Sequence, residues 1–137
     1  MIKTCSAEET VAAGFDFAQY LHVGDLVLLF GALGTGKTTF VRGIGQRLAP
    51  GAKVSSPSFN LLKVYDMQDG GKLYHLDFYR VISVKELWDI RIEEFLEDGI
   101  VLVEWPGRFP DLIELPHWKV IFKLEDDCRC IEIVRHS

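Results

Sequence analysis

An α/β fold with a mixed sheet is what the sequence predicts, on three observations. Leu26-Val27-Leu28-Leu29-Phe30 and Ile100-Val101-Leu102-Val103 are unbroken apolar runs, the profile of parallel strands buried on both faces. The run Gly31-Ala32-Leu33-Gly34-Thr35-Gly36-Lys37-Thr38 follows the first of them and fits G-x-x-x-x-G-K-[ST]. Apolar residues at Phe40, Val41, Ile44 and Leu48 then recur at helical spacing, closed by Pro50-Gly51. Strand, glycine loop and helix in that order specify a three-layer P-loop NTPase core, with antiparallel hairpins added to its sheet.

The remaining elements follow along the chain. Ser6-Ala7-Glu8-Glu9 reads as a capping box opening a first helix, with Val11, Phe15, Ala18 and Leu21 on its buried face. Two strand-like runs, Phe59 to Tyr65 and Lys72 to Phe78, flank the glycine-rich Asp66-Met67-Gln68-Asp69-Gly70-Gly71 and predict an antiparallel hairpin. Ser83 to Trp88 and Ile92 to Glu97 read as short helices. Lys119 to Leu124 and Arg129 to Val134, around Glu125-Asp126-Asp127, read as a closing hairpin.

At 137 residues the chain is expected to form a single domain, 1–137, and its 48% hydrophobic and 12% aromatic content suits a compact soluble fold. No apolar run approaches the length of a membrane span, and the first residues lack the apolar core of a signal peptide. The expected location is therefore cytoplasmic. A net charge of −5 argues against this surface as the main nucleic-acid binder, since phosphate backbones require a basic face. Cys5, Cys128 and Cys130 lack zinc-ligand spacing, and Cys128-Arg129-Cys130 reads as one face of a final strand.

The chemistry begins at the glycine loop. Gly31, Gly34 and Gly36 admit backbone conformations closed to other residues and let the chain approach a phosphate without a Cβ in the way. The loop, Leu33 to Thr39, then offers successive N–H groups and a helix N-terminus to an anion. Lys37 is placed for the β- and γ-phosphate oxygens, and the Thr38 hydroxyl for Mg²⁺, with Thr39 as its substitute. In a chain with ~7% Gly, such a match arises by chance roughly 0.5% of the time, which favours phosphate binding over an accidental turn.

A nucleotide-hydrolysing site also needs an acidic group at the tip of a neighbouring strand. Glu104 ends an apolar strand and Asp77 ends Leu73-Tyr74-His75-Leu76; both are candidates, and each alone could be a solvated strand end. His75 reads as a hydrogen-bonded structural histidine rather than a general base. Arg42, Arg80 and Arg108 could each stabilise phosphate charge or simply face solvent. Ser55-Ser56-Pro57-Ser58 is either a loop whose hydroxyl senses the metal or an ordinary turn, and position alone does not choose. A small-molecule kinase lacks an obvious lid or acceptor domain here; a nucleotide switch without chemistry stays open.

Ser56-Pro57-Ser58-Phe59, His75-Leu76-Asp77-Phe78-Tyr79-Arg80, Glu86-Leu87 and Glu104-Trp105-Pro106 follow the glycine loop in order. This combination, over roughly Leu26 to Pro106, resembles the bacterial TsaE (YjeE) family, the small ATPase of tRNA threonylcarbamoyladenosine biosynthesis. The resemblance implies ATP as ligand, bound by Leu33, Gly34, Thr35, Gly36, Lys37, Thr38 and Thr39, with Trp105 bordering the nucleotide. It implies Lys37, Asp77 and Glu104 as catalytic residues and Thr38, Glu104 and Ser58 around Mg²⁺. Ser58 stands where the family usually has threonine, which keeps the hydroxyl but loses a methyl. It further implies action through a TsaD–TsaB complex that modifies adenosine 37 of tRNAs reading codons that begin with A. Such proteins hydrolyse ATP weakly alone and faster with these partners, which hold the tRNA.

Overall fold

In the computed structural model, residues 1–55, 62–79, 91–108 and 110–137 are described. The strands are β1 (Ile2–Thr4), β2 (Leu26–Phe30), β3 (Leu62–Asp66), β4 (Lys72–Asp77), β5 (Gly99–Glu104), β6 (His117–Glu125) and β7 (Cys128–His136). They form one seven-stranded sheet in the order β1-β7-β6-β2-β5-β4-β3. The central pairs β2–β5, β2–β6 and β4–β5 are parallel, while β3–β4, β6–β7 and β1–β7 are antiparallel. This is the expected mixed sheet with hairpin additions. Of the first hairpin, residues 59–61 lie outside the described residues, as does the helix expected over Ser83 to Trp88.

The helices are α1 (Ala7–Phe17), α2 (Lys37–Leu48) and α3 (Ile92–Asp98). Alternation along β2 sends Val27 and Leu29 to the face that α1 and α2 cover, where Phe17, Phe40, Val41 and Ile44 meet them. Leu26 and Leu28 point to the other face, against Phe78, Ile92 of α3 and Leu112. These four of the five β2 side chains are fully buried, as parallel strands between two helical layers require.

Two details differ from the sequence expectation. Ser6 does cap α1, its Oγ accepting from Glu9 N at 3.1 Å, but the Glu9 carboxylate accepts from Cys5 N at 2.6 Å rather than from Ser6. Within α1 the buried residues are Thr10, Ala13, Gly14 and Phe17, while Phe15 is 39% exposed; Ala18 and Leu21, just past the helix, are buried as expected. Helix crossing decides this. A Cβ on Gly14 would lie 2.0 Å from Phe40 O, and one on Gly43 would lie 2.0 Å from Val11 O. The α1 and α2 backbones touch at these glycines, which turns Phe17 into the core and leaves Phe15 beneath the Arg47 guanidinium, 4.7 Å away. Composition could not reveal β1 either: three residues, Ile2 to Thr4, are a strand only because β7 pairs with them.

Candidate functional site

β2 ends at Phe30, and the chain turns through Gly31 at φ 153°, Gly34 at φ 80° and Gly36 at φ 100° before α2 begins at Lys37. Gly31 has no room for a side chain, since a Cβ there would lie 2.8 Å from Thr35 Oγ1 and 3.0 Å from Phe122 O. Thr35 is buried and donates to Ala32 O at 2.6 Å, which fixes the inside of the turn. Arg129, from β7, donates to Gly34 O at 3.0 Å and holds the turn from outside.

Parallel pairing brings the acidic groups to the same end of the sheet. Asp77 of β4 stands in register with Glu104 of β5, and Glu104 with Leu29 of β2. All three positions sit at the carboxyl ends of their strands, where α/β sheets place ligands. Glu104 is 3% exposed, and its carboxylate lies 3.1 and 3.2 Å from Thr38 Oγ1. His75, fully buried one β4 turn of alternation before Asp77, meets Glu104 Oε2 through Nε2 at 2.6 Å. Among the described residues its Nδ1 has no hydrogen-bond partner. A carboxylate oxygen accepts, so in this contact Nε2 carries the hydrogen and donates.

Lys37 is almost wholly buried, and its ammonium donates to Gly31 O. The same Nζ lies 3.7 Å above the centre of the Trp105 ring, a cation–π contact. Burial lowers the Lys37 pKa, against the opposing pull of Glu104 and Asp77. Burial likewise raises the Asp77 carboxyl, chiefly by desolvation and also through Glu104, opposed by a hydrogen bond from Tyr79 N at 2.9 Å. Trp105 takes φ 59°, unusual for a bulky residue, and packs on Tyr79 with ring centres 4.8 Å apart.

Lys37, Thr38, Asp77, Glu104 and Trp105 line one cavity of about 310 Å³. Of the residues expected at a nucleotide, it brings together Leu33, Gly34, Gly36, Lys37, Thr38, Thr39, Asp77, Glu104 and Trp105. Thr35 stays behind the loop, and Ser58, Arg80 and Glu86 lie outside the described residues. The far wall is Thr4, Ser6, Ala7, Thr10 and Arg129, which sequence reasoning did not place at the site. His75 had a legible signal, since an i, i+2 pair with Asp77 shares one strand's alternating faces. Arg129 had none, being 95 positions from Gly34. Arg42 is exposed on α2.

Fold and cavity define an α/β protein with a glycine loop, a buried lysine and a hydroxyl–carboxylate pair at the carboxyl ends of parallel strands. A family model described as "Threonylcarbamoyl adenosine biosynthesis protein TsaE" matches residues 4–131, and the chain belongs to the TsaE family. Proteins named tRNA threonylcarbamoyladenosine biosynthesis protein TsaE are 37% identical over 123 residues in Rickettsia typhi, covering 89% of this chain and 85% of that one. In Streptomyces coelicolor the figures are 39% over 104 residues, 74% and 70%. The crystal structure of Bacillus subtilis YdiB superposes with a TM-score of 0.75 at 31% identity, covering 95% of this chain and 80% of that one. Among the described residues, no helix is long and apolar enough to cross a membrane.

Proposed function

We propose that this protein binds and hydrolyses ATP with Mg²⁺ in the cytoplasm, and through a TsaD–TsaB complex supports threonylcarbamoylation of adenosine 37 in tRNAs reading codons that begin with A. One observation carries the reading: Lys37, the Thr38 hydroxyl and the Glu104 carboxylate converge on one cavity at the glycine loop, in a TsaE-family chain.

Each residue then has a physical role. The N–H groups at the start of α2 and the positive end of its dipole receive phosphate oxygens. Lys37 exchanges Gly31 O and the Trp105 ring for the β/γ oxygens, a trade favoured because its buried ammonium gains a charged partner. Thr38 and Glu104 offer hard oxygen atoms on one side of the cavity, the donor chemistry Mg²⁺ takes when it keeps waters and substrate phosphates as its other ligands. Bound there, Mg²⁺ would neutralise charge developing on the phosphates. His75 orients Glu104 from behind, as outer hydrogen bonds orient metal ligands elsewhere. Asp77, in register with Glu104, lines the same cavity beside the transferring phosphate. A site that a partner completes would turn over weakly alone.

ATP hydrolysis by the purified chain, alone and with TsaD–TsaB, tests this. Expected is slow release of phosphate, accelerated by the pair and abolished in Lys37→Ala. Unchanged turnover in Lys37→Ala would remove the central assignment. Tight Mg-ATP binding without stimulated hydrolysis would reassign the protein as a nucleotide switch.

A further inference from the structure

We infer that the Cys5–Cys128 pair is a redox switch of the nucleotide site, the disulfide tightening nucleotide binding and its reduction weakening it. The inference rests on the nucleotide-binding reading of the cavity. β1 pairs with β7 as Ile2–Ile131, Lys3–Cys130 and Thr4–Arg129, so Cys5 and Cys128 are the next facing pair. Their Cα atoms lie 4.2 Å apart and the sulfurs are bonded. Both residues are at the surface, Cys5 exposed and Cys128 half-buried, open to a small thiol or disulfide.

Their neighbours make the bond matter. Thr4 and Ser6, on either side of Cys5, line the cavity, as does Arg129 beside Cys128. Thr4 Oγ1 bonds Thr10 Oγ1 at 2.7 Å, tying β1 to α1, and Arg129 fastens the glycine loop at Gly34 O. The cross-link therefore joins the two halves of the far wall at its rim. Without it, that wall is held by a three-residue edge strand. Fixing a wall in its bound shape raises affinity by removing the ordering cost of binding. Cys130 stands apart: it is buried, and its thiol donates to Glu125 Oε2 at 2.8 Å.

The redox step is ordinary exchange with a low-molecular-weight disulfide. One cysteine thiolate attacks its sulfur and releases one small thiol; the second thiolate displaces the other. Two protein thiols and one small disulfide become one protein disulfide and two small thiols. Persisting disulfides are rare in the cytosol, where those that do form are usually catalytic or redox-sensing.

Mg-ATP affinity would be measured by calorimetry on wild-type protein, oxidised with glutathione disulfide or reduced with a phosphine, the thiol state read by intact mass. We expect about fivefold tighter binding when oxidised. Cys5→Ser should match the reduced protein in both buffers, and Cys130→Ser should respond like wild type. Linkage is reciprocal, so saturating Mg-ATP should lower the disulfide's midpoint potential by about 20 mV for a fivefold coupling. Equal affinities in the two states overturn the switch and leave the nucleotide site standing. Thiols that stay free in the oxidised buffer overturn it as well. Absent binding in both states removes the nucleotide reading, and the switch with it.

Discussion

Replacing Glu104 separates its part in the fold from its part in the chemistry. Its carboxylate, 3% exposed, is held by Thr38 Oγ1 and His75 Nε2. In Glu104→Ala the buried His75 loses its acceptor, and the half-buried Thr38 loses its own. Leaving a buried donor without its acceptor costs about 1–3 kcal/mol. At ~2.1 cal/mol/K per residue, the 137 residues carry an unfolding entropy of about 0.29 kcal/mol/K, so each kcal/mol moves Tm by about 3.5 °C. Glu104→Ala should therefore lower Tm by about 4–10 °C. Glu104→Gln keeps the volume and an acceptor oxygen; losing charge-assistance costs about 1 kcal/mol, or roughly 4 °C. The same Gln variant should lose about 10²-fold or more of Mg-dependent turnover, because a neutral amide replaces the charge facing the metal and phosphates. Calorimetric melting and phosphate release read the two effects. A Gln variant that melts as early as the Ala variant while keeping full turnover would refute the reasoning and make Glu104 a structural carboxylate.

Three further outcomes are expected. Trp105→Phe should abolish a tryptophan fluorescence change on adding Mg-ATP, since wild-type Lys37 must leave the Trp105 ring; a response retained in the variant would place it elsewhere. Gly43→Ala forces a Cβ against Val11 O and should cost about 1–3 kcal/mol, or roughly 4–10 °C in Tm; an unchanged melt would mean the helices separate freely. Burial, with help from the hydrogen bond to Asp98 at 2.7 Å, pushes the Tyr74 hydroxyl up to about 12 from 10.0. A folded pKa above the unfolded one gives stability present in full below pH 10 and lost as pH rises toward 12. The melting advantage of wild type over Tyr74→Phe should shrink across that window, and a constant difference would contradict the assignment.

The central fold was legible because its signals are local. β2 and β5 announce themselves as apolar runs, α2 as a periodic face, and the β3–β4 turn as paired glycines, Gly70 and Gly71, both at positive φ. Placing Phe15 rather than Phe17 in the core came from reading periodicity alone: Gly14 and Gly43 let two backbones touch, and a glycine carries no hydropathy signal for such contact. Lys37, Thr38 and Glu104 could be named from spacing and strand ends. Their mutual distances depend on the β2–β5 and β4–β5 registers, which no local pattern encodes. The Cys5–Cys128 bond and the reach of Arg129 to Gly34 arise from pairing the chain's two ends, and they became visible only with β1 against β7.

The resting position of Lys37 has a consequence for what can enter. At the inner end of the cavity one ammonium faces two carboxyl groups, Asp77 and Glu104, and already leans on a carbonyl and an indole face. A free polyphosphate gains the lysine and the loop amides but leaves the two carboxyl groups uncompensated. A polyphosphate escorted by its own divalent ion brings positive charge to the carboxylates and negative charge to the lysine in one arrival. On the nucleotide-binding reading, this arrangement of charge favours a metal-bound polyphosphate over the free one.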